Sequence, residues 1–253
     1  MNRDHFWLDD RQFMRLVPHL PTDTRGKPRV DDRRVISGIV HVLKSGCRWA
    51  DAPLLSSTAR ARRFTIASCA GGLRDMARHL PCAGRCRRPT GRGADRLLCR
   101  EGSPLRLGRK RGEHNQAIGR SRGGRTTKIH ALTDICCRPI AFLLTGGHVA
   151  DCIAADELLD RLLAAEILHG DKGYDSNAVR QKIESKGAAP NIPPKTNRRW
   201  KNCFSPWLYR HRNAIERMFG RLKDFRRVAT RSDRLARNFL ATVCLAATLC
   251  YWL

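Results

Sequence analysis

The sequence predicts a mixed α/β chain: an all-helical N-terminal part, a C-terminal part alternating strands with helices, and between them a stretch that fits neither. Three observations carry this. Apolar residues up to Pro53 recur at helical spacing, and those from Lys110 onward switch between alternating and helical spacing. Residues 54–109 hold thirteen Arg but no Lys, Val, Asn, Gln, Tyr or Trp. The organisation read from this is residues 1–53, residues 54–109 and residues 110–253.

In the first part, Val35, Ile36, Ile39, Val40, Val42 and Leu43 make one apolar stripe, with Asp31 or Asp32 as N-cap and Gly46 as the stop. Arg33, Arg34, His41 and Lys44 fall on the outer face. That face suits either a small module that touches DNA or an ordinary solvated helix.

In the third part, residues 128–133 and 140–145 read as strands joined by a turn over 134–139. Asp151 is expected to cap a helix running to about Leu163, with Leu158, Leu159, Leu162 and Leu163 inward. A short strand over 166–169, a helix over 177–186 and a basic loop over 190–206 follow. One helix from Leu208 to about Arg227 comes next. The apolar run from Phe239 to Leu253 is interrupted by Thr242 and Thr248 and is shorter than the roughly 20 residues a membrane helix needs, so it reads as a buried helix.

The middle stretch shows no period. Disorder would account for that, yet disordered segments favour Lys, Gln, Glu and Ser over Arg, Cys and Leu. An Arg-rich, Lys-free composition is what a GC-rich gene yields when read out of frame. Codon degeneracy permits a one-base shift over 56–72 and a second over 75–108 that give protein-like readings, the latter containing A-Q-I-D-S-S-A-V-K-A-H-R. Three single-base insertions or deletions would explain both.

The whole chain has 49 Lys and Arg against 23 Asp and Glu, a formal charge of +26 over 253 residues. So large an excess points to a polyanionic partner such as nucleic acid, with an anionic membrane surface as the rival reading. The opening MNRDHFWLDDRQFMRL has neither the apolar core nor the small-residue cleavage site of a secretory signal. Eleven cysteines without such a signal point to reduced thiols in a cytoplasm. Cys136-Cys137 lacks a second pair at zinc-ligand spacing.

Two carboxylates stand out. Asp171, in His169-Gly170-Asp171-Lys172-Gly173-Tyr174-Asp175, follows a predicted strand beside glycines, where α/β folds place function. Glu216 belongs to the run Tyr209, Arg212, Glu216, Lys223, whose spacing of 3, 4 and 7 sets all four on one helix face. Ile215, Met218, Leu222 and Phe225 form a separate apolar stripe. Taken alone, the first is a turn and the second a solvated face with i,i+4 pairing.

Together, Tyr-x2-Arg-x3-Glu-x6-Lys downstream of a strand-end Asp resembles the signature of RNase H-like DDE transposases of bacterial insertion sequences, in families four and five. The resemblance extends through IGRSRGGRTTKIHAL (118–132), FLLTGG (142–147), HGDKGYDS (169–176), NAIERMFGRLKDFRR (213–227) and RRVISGIVHVLKSGCRWAD (33–51). It implies an RNase H-like catalytic core behind a helical, DNA-binding N-terminal domain. It further implies 3′-end cleavage and strand transfer at the inverted-repeat ends of an element, by a homo-oligomer on double-stranded DNA in the bacterial cytoplasm and nucleoid. By the same resemblance two Mg²⁺ ions, replaceable by Mn²⁺, would be held about 4 Å apart by carboxylates. Asp171 and Glu216 would be catalytic metal ligands, and Tyr209, Arg212 and Lys223 would contact phosphate.

The family's first acid, in an apolar-Asp-Ser/Thr motif ahead of the Gly-Arg-Ser-Arg-Gly stretch, is absent. It reappears in the shifted reading, where its codon would straddle Arg96 and Leu97. Asp95 follows Thr90-Gly91-Arg92-Gly93-Ala94, a poor buried strand. The expectation is therefore an incomplete core without its first strand, and a chain that does not catalyse.

Overall fold

The computed structural model describes residues 6–20, 31–52, 116–162 and 164–253, and the backbone of 96–104. In chain order the elements are α1 (Asp10–Leu16), α2 (Asp32–Ser45), β1 (Arg96–Pro104), β2 (Gly119–Ser121), β3 (Gly124–Asp134), β4 (Pro139–Gly146), α3 (Asp151–Asp160), β5 (Ile167–Gly170), α4 (Asn177–Ser185), β6 (Ala189–Asn191), α5 (Pro206–Tyr209), α6 (Asn213–Lys223), α7 (Arg226–Ala229) and α8 (Ala236–Tyr251). They divide into two compact units, residues 1–80 with 221–253, and residues 81–220. Asp95, the rest of the stretch over 54–109 outside β1, and Leu163 lie outside the described residues.

In the first unit, α1 opens with a capping box. Asp9 Oδ1 accepts from the Gln12 amide at 2.7 Å, and the Asp9 amide donates to Gln12 Oε1 at 3.2 Å. Helix α2 starts at Asp31, which accepts from the Arg34 amide at 3.1 Å, and ends at Gly46 with φ +71°. A glycine serves there because the left-handed backbone is strained for other residues. The stripe Ile36, Ile39, Val40, Val42 and Leu43 is buried, with Val35 only half-buried.

Two cations expected on the outer face of α2 are engaged inside this unit. Arg33 Nε donates to the Leu8 carbonyl at 2.8 Å, and Lys44 Nζ stands 5.0 Å from the Phe6 ring and 5.6 Å from that of Phe225. Helix α8 buries Phe239 and residues 241–248, as expected for the C-terminal run. No helix among the described residues is long and apolar enough to cross a membrane.

The second unit is built on one sheet in the order β2-β3-β1-β5-β6, with β4 also paired to β3. β3 runs antiparallel to β1 on one edge; on the other, β4 pairs with 127–133 and β2 with 124–126. β1 is parallel to β5, and β5 to β6. The core sets Leu132, Ala141 and Leu168 of the sheet against Leu158 and Leu159 of α3 and Val179 and Ile183 of α4. Each such side chain removed from water contributes about 1.5–3 kcal/mol.

Most predicted elements are present, and four differ. The hairpin strands run beyond 128–133 and 140–145, because pairing continues to Gly124 and Gly146. Asp151 is the first residue of α3 rather than its cap, since its carboxylate is taken by Lys128 Nζ at 2.9 Å. The single helix expected over 208–227 is broken into α5, a 3₁₀ turn at Arg210–Arg212, α6 and α7. Phe225 stands between α6 and α7 as the N-cap of α7, in extended backbone while remaining buried. Periodicity could not flag that break, because Phe225 fits the apolar stripe.

The fourth difference is β1. The expectation of a missing first strand is overturned, since 96–104 pairs along its whole length with β3 and over Arg96–Leu98 with β5. Strand pairing asks only for backbone N–H and C=O groups in register. Leu97, Leu98 and Cys99 do not oppose it.

Candidate active site

Asp171 leaves β5 directly into a 3₁₀ turn, Lys172–Tyr174. Three contacts hold that turn. Tyr174, fully buried, shares a 2.7 Å hydrogen bond with His130 Nδ1 of β3, and His130 Nε2 shares another of 2.7 Å with Thr145 Oγ1 of β4. Gly173 lies so close to Asp151 that a Cβ there would stand 2.3 Å from Oδ2. This close approach is the reason for a glycine in the motif.

The third contact is Asp175. Its side chain is 0% exposed and pairs with Arg180 Nε at 2.9 Å, while its other oxygen accepts from the Lys195 amide at 2.8 Å and from Arg198 Nε. Burial alone would push this carboxyl up. The Lys195 amide and the Arg198 and Arg180 guanidinium groups outweigh it and hold the carboxyl below its ordinary value. Asp175 thus ties the strand-end turn to α4 and to the basic loop.

The two ends of that loop are closed by Asn191 of β6. Its Nδ2 donates to the Ser205 carbonyl at 3.2 Å, and the Ser205 amide donates to its Oδ1 at 2.9 Å. Ser205 then caps α5, which carries Tyr209. The following 3₁₀ turn has three residues per turn, so Tyr209 and Arg212 stack one above the other, and one α-helical turn later comes Glu216.

The outcome is a compact polar group. The Tyr209 hydroxyl donates to Asp171 Oδ1 at 3.2 Å, and Arg212 Nη1 reaches the same oxygen at 3.1 Å. Arg212 Nη2 pairs with Glu216 Oε1, and its guanidinium carbon lies 5.3 Å from the centre of the Tyr209 ring. One arginine therefore spans both carboxylates. Lys223 is exposed two turns further along α6. Sequence reasoning gave no part to His130, Asp175, Arg180, Asn191 or Arg198, whose partners lie between 5 and 44 positions away along the chain.

Among the described residues the donor set does not fit a pair of divalent cations. Among the described residues no three His, Cys, Asp or Glu side chains come together to hold a metal ion. Asp171 and Glu216 meet a guanidinium instead. At the register positions Arg96↔Leu168 and Leu97↔His169, the strand beside β5 carries an arginine and a leucine, not a carboxylate.

A family model described as "Transposase DDE domain" matches residues 92–253, and one described as "Putative transposase of IS4/5 family" matches residues 8–71. The curated "Putative transposase for insertion sequence element IS6501" of Brucella ovis is 33% identical over 129 residues, covering 51% of this chain and 98% of that protein. The one named for element IS402 of Burkholderia cepacia is 29% identical over 191 residues, 68% of this chain and 87% of that protein. A solved structure, the Mos1 transposase paired-end complex with left transposon end, aligns at 12% identity over 94% of this chain and 84% of that one, with a TM-score of 0.26.

Proposed function

The chain belongs to the DDE transposase family, and on that premise we propose that it is an insertion-sequence transposase that retains the DNA-binding surface but not a working catalytic centre. The ancestral reaction is 3′-end cleavage at the inverted repeats followed by strand transfer. The order β4-β3-β1-β5-β6, with β3 alone antiparallel to the other four, supports an RNase H-like catalytic domain over 110–253 completed by β1. Residues 1–53 are its helical DNA-binding domain, and 54–109 is the segment read out of frame. Both family matches reach into that segment from its flanks.

The observation that carries the reading is the count of carboxylates. Asp171 leaves β5, Glu216 projects from α6, and β1 supplies no acid at the register positions next to Leu168 and His169. In the intact family two Mg²⁺ ions would activate the attacking hydroxyl and stabilise the leaving oxygen. Here Asp171 and Glu216 descend from the acids that held them. In an intact member Tyr209, Arg212 and Lys223 would contact DNA phosphates.

The test is to express the chain as written and a version with the frame restored over 54–109, and to assay 3′-end cleavage on DNA carrying the element's ends, with Mg²⁺ or Mn²⁺. Activity is expected only in the restored chain. Cleavage by the chain as written would sink the proposal.

A further inference from the structure

The misfit between this carboxylate pair and divalent metal has a source within the chain. We propose that Arg212 is the resident cation of the Asp171–Glu216 pair and keeps it closed to divalent ions. This rests on the reading of those two carboxylates given above.

Three features support it. The guanidinium is a rigid planar fork, and its two terminal nitrogens are spent on different carboxylates, Nη1 on Asp171 and Nη2 on Glu216. The body of the fork therefore fills the space between the acids, where a shared ion would have to sit. Next, the side chain is only 21% exposed, with the Tyr209 ring 5.3 Å from its charge centre, so it is held as well as paired. The Tyr209 hydroxyl also donates to Asp171 Oδ1. Finally, arginine stays charged at every accessible pH, so its own deprotonation does not vacate the site.

A divalent ion has to take both acids from this fork, and Mg²⁺ must shed tightly held water to do so. Loss of the fork removes its positive charge from between two carboxylates, and that change favours a cation there.

The experiment is a Mn²⁺ titration of the full chain without DNA, following free Mn²⁺ by electron paramagnetic resonance. Being free of DNA and of catalysis, it is independent of the cleavage assay. Arg212→Gln should bind Mn²⁺ about tenfold or more tightly than the parent, the size expected for one partly exposed charge. Adding Glu216→Gln to that variant should remove the gain. An Arg212→Gln affinity equal to the parent's, or a gain that survives Glu216→Gln, overturns the proposal. Circular dichroism checks that the variants fold. Should Arg212→Gln lose its helical signal, Arg212→Lys decides instead: its single ammonium cannot span both acids, so a gain supports the proposal and an unchanged affinity refutes it.

Discussion

Replacing Asp175 with Asn is expected to destabilise the chain by about 3–5 kcal/mol, the range for breaking a buried ion pair from one side. The structure sets the size. Asp175 is 0% exposed and Arg180 4%, so the substitution leaves a buried guanidinium without its counter-charge, facing a neutral amide and the Ile192 carbonyl at 2.7 Å. Arg198 loses its anchor in the same step. In a chain of this size the corresponding fall in melting temperature is roughly 6–20 °C. The pH dependence has a definite sign. The folded carboxyl is held below its unfolded value, so its stabilisation is complete above the ordinary carboxylate range and fades as pH falls through that range and below. Thermal melts of parent and variant should therefore stand far apart at neutral pH and converge in acid. Melting temperatures within about 2 °C of each other at neutral pH, or a gap that persists at low pH, would refute the placement of Asp175 in this knot.

Gly173→Ala sets a Cβ 2.3 Å from Asp151 Oδ2, and overpacking of that kind costs about 1–3 kcal/mol; an unchanged denaturation midpoint would show that the turn does not press on α3. Tyr174→Phe withdraws a buried hydroxyl from His130 Nδ1 and is expected to lower stability by about 1–3 kcal/mol with the denaturant slope unchanged; chemical denaturation decides it. With a formal charge of +26, affinity for duplex DNA should fall steeply with salt, because each neutralised phosphate releases counterions. A flat logarithmic salt slope would remove the nucleic-acid reading of the charge.

What could be read ahead of the structure follows the range of the forces involved. Helix α2 was legible because its cap, stripe and stop all lie within its own span, at Asp31, Ile36 to Leu43 and Gly46. The hairpin was legible because each strand declares itself by alternation. The motif residues Tyr209, Arg212 and Glu216 were placed on one face from spacing alone, and the 3₁₀ turn at Arg210–Arg212 preserves that alignment. The supports of the site were not legible. Asp175 meets Arg198 across 23 positions, and His130 meets Tyr174 across 44. No local period encodes such pairs. Arg33 shows the same limit from the other side, since a cation on a polar helix face looks solvent-facing until the Leu8 carbonyl arrives from α1's leading segment.

β1 shows that a sheet and an active site place different demands on the same residues. The strand needs extended backbone with one donor and one acceptor per residue, and Arg96–Pro104 meets this along β3 although its composition fits an out-of-frame reading. A change of frame alters every side chain but leaves the backbone groups in place, apart from those a proline removes, and here Pro104 falls at the strand's end. Catalysis by metal-held water needs a carboxylate at one register position of that strand, and no neighbouring residue can substitute for an oxygen ligand that must lie within about 2 Å of the ion. Sheet order thus sets no condition on whether that carboxylate is present. On the function proposed above, the carboxylate count, not the topology, would separate a working transposase from a DNA-binding relative, and restoring the frame is the perturbation that tests it.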